Sequence, residues 1–166
     1  ELGLRSTCTM MYGHIETDED IVEHWEHART LQDLHGGFTA FVPWSYKKGN
    51  TPMQKYVEES GRKPAGAAPY LRILAASRLY LDNFDHIKAY WIMITPRIAQ
   101  TALNMGADCI DGTVVEEKIV HMAGARTPVG LTMDQLLRLI RDAGRVPVQR
   151  DSLYNELHRF ESPAAV

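Results

Sequence analysis

Thr7-Cys8-Thr9-Met10-Met11-Tyr12-Gly13-His14-Ile15-Glu16-Thr17-Asp18 decides the fold of this chain. The run Thr7 to Tyr12 reads as a buried strand, and the pattern from Asp18 to Leu34 reads as a helix. The five residues Gly13 to Thr17 join them, so polar groups stand where a strand ends and a helix begins. In parallel α/β folds that carboxyl end is where ligands bind, because the loop is free to vary while the sheet fixes its position.

Working outward, Ile21, Val22, Trp25, Ala28, Leu31 and Leu34 fit one helical face, with Thr17 or Asp18 as N-cap and Gly36-Gly37 as the stop. A second strand is expected from Phe38 to Val42, ended by Pro43. Residues Lys47 to Ala68 show no periodic apolar pattern and read as a long surface loop. Helix returns at Pro69, with Leu71, Leu74, Ala75 and Leu79 on a face and Asn83 near the end. A third strand, Ile87 to Ile94, runs into the helix start Thr95-Pro96, whose face of Ile98, Ala99, Ala102 and Leu103 stops at Gly106. A fourth strand is expected from Cys109 to Val115, followed by a helical turn from Glu116 to Gly124. The last helix has a capping box, Thr132 with Gln135, and a hydrophobic staple, Leu131 with Leu136; it ends at Gly144. The tail from Arg145 is amphipathic at first and frays at Pro163-Ala164-Ala165-Val166.

Composition narrows the class. The 166 residues are 45% hydrophobic and 23% charged, ordinary for one globular domain. A net charge of -3 gives no basic stripe, which argues against nucleic acid as a partner. No apolar stretch approaches the roughly 20 residues of a membrane span and no signal-peptide pattern opens the chain, so the cytoplasm is the expected location. Cys8 and Cys109 each lie in or beside an expected strand and read as reduced buried thiols rather than a disulfide. His24 and His27 share a helix, but Glu23 and Glu26 beside them mark a solvated face without a third ligand, so no metal site is expected there.

Strand and helix alternate four times, which implies a parallel sheet with right-handed crossovers. Four such units are half of an eight-unit barrel, and a complete barrel takes about 250 residues. Residues 1–144 are therefore expected to be the last four β/α units of a (β/α)8 TIM-type barrel, with 145–166 as a carboxyl-terminal tail and the amino-terminal half missing. A complete four-stranded open sheet is the alternative, and it leaves the outer edge of the first strand unpaired or covered.

Several blocks carry a family resemblance over nearly the whole chain. Met10-Met11-Tyr12-Gly13-His14-Ile15-Glu16-Thr17, Gly36-Gly37-Phe38-Thr39-Ala40-Phe41-Val42-Pro43 and Leu79-Tyr80-Leu81-Asp82-Asn83 resemble the carboxyl-terminal half of radical SAM enzymes of menaquinone and deazaflavin synthesis. Within that group, Lys88-Ala89-Tyr90-Trp91-Ile92-Met93, Asp111 to Ile119 and His121-Met122-Ala123-Gly124-Ala125 are most similar to the aminofutalosine synthase family. Phe41-Val42-Pro43-Trp44-Ser45-Tyr46 with Gly49-Asn50-Thr51 is instead similar to the sister family, dehypoxanthine futalosine cyclase.

The resemblance implies a radical SAM transferase of the futalosine pathway of menaquinone biosynthesis. A [4Fe-4S] cluster and S-adenosyl-L-methionine are the implied cofactors, and 3-[(1-carboxyvinyl)oxy]benzoate is the implied small-molecule substrate. The 5'-deoxyadenosyl radical adds to its enol ether, and rearrangement with decarboxylation yields aminofutalosine. The family's cluster ligands form a Cys-x3-Cys-x2-Cys run to which neither Cys8 nor Cys109 belongs, so this fragment alone is expected to bind no cluster and to be inactive. Its implied partner is the missing half of its own barrel, with a homodimer as a further option. A non-catalytic half-barrel that binds a ligand or another chain is the competing class of function.

On this reading the chain supplies the adenosine- and substrate-facing wall. His14 and Glu16 are the candidate catalytic residues: an imidazole can bond a carboxylate or move a proton, and a carboxylate can accept from ribose hydroxyls or the methionyl amine. The competing reading makes His14 structural and leaves Glu16 to favour the positive end of a helix. Gly13, Glu16, Pro43 and Trp44 are the candidate cofactor-binding residues. Tyr46, Trp91, Met93, Asp111, Thr113 and Glu116 are the candidates for substrate. Aromatic faces suit stacking on adenine or benzoate but equally fill a barrel interior. Asp111, Glu116 and Glu117 crowd one strand exit, where like charges raise one another's pKa; adjacent glutamates also suit a first helical turn. Arg97 at a helix start could meet a carboxylate, and Arg150-Asp151 reads as a surface ion pair.

Overall fold

The computed structural model describes residues 3–47, 52–61, 66–114, 122, 128, 130 to 161. The first strand, β1 (Ser6–Tyr12), leads into helix α1 (Asp18–His35). Thr17 caps α1: its hydroxyl accepts from the Asp20 N–H at 3.2 Å, and the Asp20 carboxylate accepts from the Thr17 N–H at 2.7 Å. Gly36 ends the helix at φ 61°, a left-handed conformation that favours glycine. Gln32 then ties α1 to the second strand, β2 (Phe38–Ser45), giving to the Phe38 carbonyl at 3.0 Å and accepting from its N–H at 2.9 Å. The remaining order is α2 (Met53–Glu59), α3 (Ala67–Tyr80), β3 (Lys88–Ala89), α4 (Trp91–Ile94), α5 (Pro96–Ala102), β4 (Cys109–Ile110), α6 (Met133–Asp142), β5 (Val148–Arg150) and β6 (Glu156–Arg159).

β1 pairs with β2 and β3 with β4, both in parallel, and a parallel bridge at Phe41 and Ile87 joins the two pairs. The strands thus follow one another in sequence order, as right-handed β/α units require. Along β1, Cys8, Met10 and Tyr12 turn toward the helices, while Thr7, Thr9 and Met11 face the exposed side of the sheet. The core joins Met10, Tyr12, Trp25, Phe41, Tyr70, Leu74, Phe84 and Trp91 between sheet and helices.

Several expected boundaries are corrected. Pro43 does not stop β2, which continues to Ser45 with Pro43 opposite Met10. Proline gives no N–H to a ladder, and it is tolerated where β2 meets its second neighbour only at Phe41. The expected strand Ile87 to Ile94 is two residues of β3 followed by the helical turn α4, which places Trp91 and Met93 in the core. A wholly apolar run carries no period by which to tell a buried strand from a buried turn of helix. The expected surface loop Lys47 to Ala68 contains α2, which buries only Val57 and so shows no apolar face in the sequence. α3 begins at Ala67, with Pro69 inside its first turn.

The helical faces are also narrower than their sequence patterns. Ile21, Trp25 and Ala28 are buried on α1, whereas Val22, Leu31 and Leu34 are exposed; on α3, Leu74 is buried and Leu79 exposed. β4 covers only the first two residues of its expected span. The capping box on Thr132 forms as expected, and Gly144 follows α6 at φ 73°. The tail is not merely amphipathic: β5 and β6 form an antiparallel hairpin. Its turn is built by the Asp151 carboxylate, which accepts from the N–H groups of Leu153 and Asn155 at 2.8 and 2.9 Å. Apart from Met122, the expected turn Glu116 to Gly124 falls outside the described residues, as does the end of the tail.

Candidate functional site

At the exit of β1 the chain turns at Gly13, φ 87°, and the Glu16 carboxylate closes the loop on itself. It accepts from the backbone N–H of Gly13 and, at 2.9 Å, from that of His14. The imidazole Nδ1 of His14 accepts from the Ile15 N–H at 2.8 Å. The same Nδ1 lies 3.1 Å from Glu16 Oε2, so a protonated ring would donate to the carboxylate. Burial works to raise the Glu16 pKa, but the backbone N–H groups of Gly13, His14 and Glu16, with the nearby imidazole of His14, outweigh it and hold the carboxyl below its ordinary range. Tyr46 completes this cluster: its ring meets that of His14 edge-on at 6.0 Å, and its N–H donates to the Tyr12 carbonyl at 2.7 Å.

Trp44 lies beside Met11 on the open face of the sheet and stacks on Tyr90, with centroids 5.4 Å apart and planes 14° from parallel. An apolar shelf of Met11, Trp44 and Tyr90 therefore adjoins the β1 exit. Pro43 is fully buried on the opposite face. Trp91 and Met93 are likewise core residues, at 0% and 7% exposure, and are not brought to this shelf.

A second polar cluster stands at the exit of β4. Asp111 Oδ1 meets Lys88 Nζ at 3.1 Å, with both side chains less than one-fifth exposed. Burial raises the Asp111 pKa, and the positive charges of Lys88 and Arg150 offset only part of that rise. Asp111, Gly112 and Thr113 line a cavity of about 940 Å³ that also touches Cys109, Leu136, Ile140, Arg150 and Tyr154. Arg150 is no surface ion pair. Its guanidinium donates to the Cys109 thiol at 3.1 Å and to the Asp151 carbonyl at 2.7 Å, and it lies 3.8 Å from the centre of the Tyr154 ring. The other face of Tyr154 stacks on His86 at 3.9 Å, so the hairpin is clamped to the sheet. Glu116 and Glu117 lie outside the described residues, and Arg97 is exposed.

The sequence reading missed Lys88, Tyr90 and Tyr154. Lys88 had a usable signal, a single cation between Ile87 and Ala89 in an apolar run; the tyrosines had none, since a phenol reads as core. Of the candidates, His14, Glu16, Gly13 and Tyr46 are brought together, Trp44 adjoins the same side of the sheet, and Asp111 and Thr113 line the cavity. As a donor set, the two cysteines do not fit an iron-sulfur cluster: Cys8 is half-buried in β1, with burial pushing its thiol up to about 11, and Cys109 is held by Arg150. The half-exposed loop around an ionised Glu16 does fit an amine or a hydroxyl, because its carboxylate oxygens retain lone pairs after accepting the two backbone bonds.

Parallel strands in sequence order, with polar clusters at their carboxyl ends and a large cavity beside them, define an α/β domain of the kind that builds enzyme sites on strand exits. The chain belongs to the family described as the CofH/MqnC C-terminal region, whose model matches residues 35–162. It is 48% identical over 162 residues to the aminodeoxyfutalosine synthase of Thermus thermophilus, covering 97% of this chain and 43% of that protein. It is 43% identical over 155 residues to the 5-amino-6-(D-ribitylamino)uracil--L-tyrosine 4-hydroxyphenyl transferase of Methanoculleus marisnigri, covering 92% and 41%. It is 37% identical over 163 residues to the cyclic dehypoxanthine futalosine synthase of Streptomyces coelicolor, covering 98% and 39%. The chain thus spans about two-fifths of the length of the curated relatives it matches.

Proposed function

We propose that the full-length protein containing this chain is an aminofutalosine synthase, a radical SAM transferase of menaquinone biosynthesis, and that this chain supplies four β/α units of its (β/α)8 barrel. The observation that carries the reading is the 48% identity to an aminodeoxyfutalosine synthase across 97% of the chain. The cyclic dehypoxanthine futalosine synthase stands at 37%. When bound, S-adenosylmethionine and a [4Fe-4S] cluster held outside this chain would supply the 5'-deoxyadenosyl group for addition to the enol ether of 3-[(1-carboxyvinyl)oxy]benzoate. The reaction proceeds with rearrangement and decarboxylation.

The residues of this chain bind and orient. Glu16, kept anionic by the N–H groups of Gly13 and His14, accepts from the amine or a ribose hydroxyl of the cofactor. The imidazole of His14, beside Glu16, offers the same ligand a second hydrogen-bonding group. Trp44, on its shelf with Met11 and Tyr90, offers a flat apolar surface to adenine or the benzoate ring. Asp111 and Thr113 hold the polar end of the substrate at the cavity, with Lys88 setting the charge of Asp111. Pro43, Trp91 and Met93 support these groups from the core. Residues 145–161 act as an extension that closes the cavity from one side.

The test is anaerobic incubation of the reconstituted full-length protein with S-adenosylmethionine and the carboxyvinyl-oxybenzoate, followed by mass spectrometry. Aminofutalosine is the expected product. Failure with this substrate together with cyclisation of dehypoxanthine futalosine would transfer the assignment to the sister enzyme, to which the block Phe41 to Tyr46 is similar.

A further inference from the structure

The hairpin carries a cation to the cavity at the exit of β4 without giving it an anion. Arg150, the last residue of β5, is half-buried and lines that cavity of about 940 Å³. The groups that hold it are the free Cys109 thiol at 3.1 Å, the Asp151 carbonyl at 2.7 Å and the Tyr154 ring, whose centre is 3.8 Å away. Among the described residues Arg150 makes no ion pair, and the acids on the cavity wall are engaged elsewhere. Asp108 is on Arg78 and His86, Glu156 on Arg159 and Asp111 on Lys88, while Asp85 is exposed. Arg145, exposed on the same wall, adds a second positive charge. A charge drawn partly out of water costs free energy unless an opposite charge and hydrogen bonds offset it. The donors agree with the charge. Of the five N–H groups of a guanidinium, one goes to the Asp151 carbonyl and one to the Cys109 thiol, and the rest have no partner among the described residues.

We propose that Arg150 binds the ring carboxylate of an aromatic carboxylate substrate in this cavity, with the Cys109 thiol and the Tyr154 ring as the groups that aim its guanidinium. The inference rests on the reading of the cavity as the place of the substrate, and it names the residue that selects a carboxylate there. A guanidinium is a planar fork whose parallel N–H groups match the two oxygens of a carboxylate. Tyr154 covers one face of that plane, and the bonds to thiol and carbonyl fix its rotation, so the remaining N–H groups keep one direction. A thiol is a weak acceptor. It orients the fork while leaving the charge for a ligand, which a carboxylate in the place of Cys109 would not do. Leu103, Leu136 and Ile140 give the same cavity an apolar wall against which an aromatic ring can lie.

Two compounds offered to the full-length protein test this: the carboxyvinyl-oxybenzoate and its ring amide, 3-[(1-carboxyvinyl)oxy]benzamide. The amide keeps the shape and the enol-ether carboxylate and lacks the ring charge. Binding of each is measured by titration calorimetry with S-adenosylmethionine present and no reductant, so that no turnover intervenes. Wild type is expected to bind the carboxylate at least about tenfold more tightly than the amide. Arg150→Gln is expected to bring that ratio close to unity by weakening the carboxylate alone. Arg150→Lys keeps the charge without the fork, gives an intermediate ratio, and keeps the test alive should Arg150→Gln fail to fold. A residue that merely fixed the hairpin would weaken both compounds alike, so a ratio unchanged in a folded variant overturns the proposal. A wild type that does not distinguish the two compounds overturns it as well. Aminofutalosine formation by the wild type decides the functional reading separately. Product with an unchanged ratio removes the role of Arg150 alone, whereas a collapsed ratio without product keeps the carboxylate site and removes the synthase. Binding of neither compound by the wild type overturns both.

Discussion

At the scale of single residues, Glu16 shows how a short loop makes a usable charge. Its carboxylate is held anionic by backbone donors three and two residues earlier in its own turn, so the arrangement needs no distant partner. A carboxyl held below its unfolded pKa contributes stability that is present above the unfolded value and is lost as pH falls through the folded one. Glu16→Gln is therefore expected to cost about 1 kcal/mol at pH 7 and to flatten the decline of Tm as pH falls through and below the ordinary glutamate range. Thermal unfolding of both proteins between pH 3 and 7 checks this; parallel curves would contradict it. Gly106 is a second residue whose identity is forced. It sits at φ 109° before β4, and a Cβ there would approach Arg78 Cβ to 2.8 Å. Arg78 cannot yield, because its guanidinium also donates to the Gly106 carbonyl, the Phe84 carbonyl and Asp108. Gly106→Ala is expected to destabilise by about 2–3 kcal/mol, measured by urea unfolding.

At the scale of elements, capping and turn chemistry were legible where they were local. Thr17 and Thr132 cap their helices with the carboxylate or amide three residues on, as the sequence announced. α4 was not legible, since Trp91 to Ile94 is buried on every side and has no polar position to set a period. The hairpin of β5 and β6 was hidden for the opposite reason: its strands are mostly exposed and carry no apolar alternation. It is held by Tyr154 between His86 and Arg150, contacts that only the folded chain brings together. Tyr154→Ala is expected to release the hairpin, raising amide hydrogen exchange across 148–159 by at least tenfold while leaving α1 protected. Uniform exchange in both regions would show that the clamp is not what fixes the hairpin.

At the scale of the whole molecule, one face of β1 presents Thr7, Thr9 and Met11 to solvent, and among the described residues β1 pairs with β2 alone. An open edge beside a partly apolar face invites pairing with another chain. The 166-residue chain by itself is expected to self-associate at micromolar concentration in sedimentation velocity, and Met11→Lys, at an exposed position, is expected to shift it toward monomer. A monomer at all concentrations would mean that this face is adequately solvated on its own. No helix among the described residues is long and apolar enough to cross a membrane.

The sequence by itself determined the order of the first four strands and the alternation of strand and helix, the caps at Thr17 and Thr132, the stops at Gly36 and Gly144, and the gathering of His14 and Glu16 at a strand exit. Each is a local matter, settled by hydrogen bonds and torsions within a few residues. Tertiary structure alone decided that Pro43, Trp91 and Met93 turn into the core while Trp44 meets Tyr90, that Lys88 partners Asp111, and that Tyr12 and Tyr70 are buried. Those outcomes depend on which side of a strand or helix a neighbour covers. Burial and pairing are properties of the packed whole, and residues distant along the chain acquire them only when the sheet brings them together.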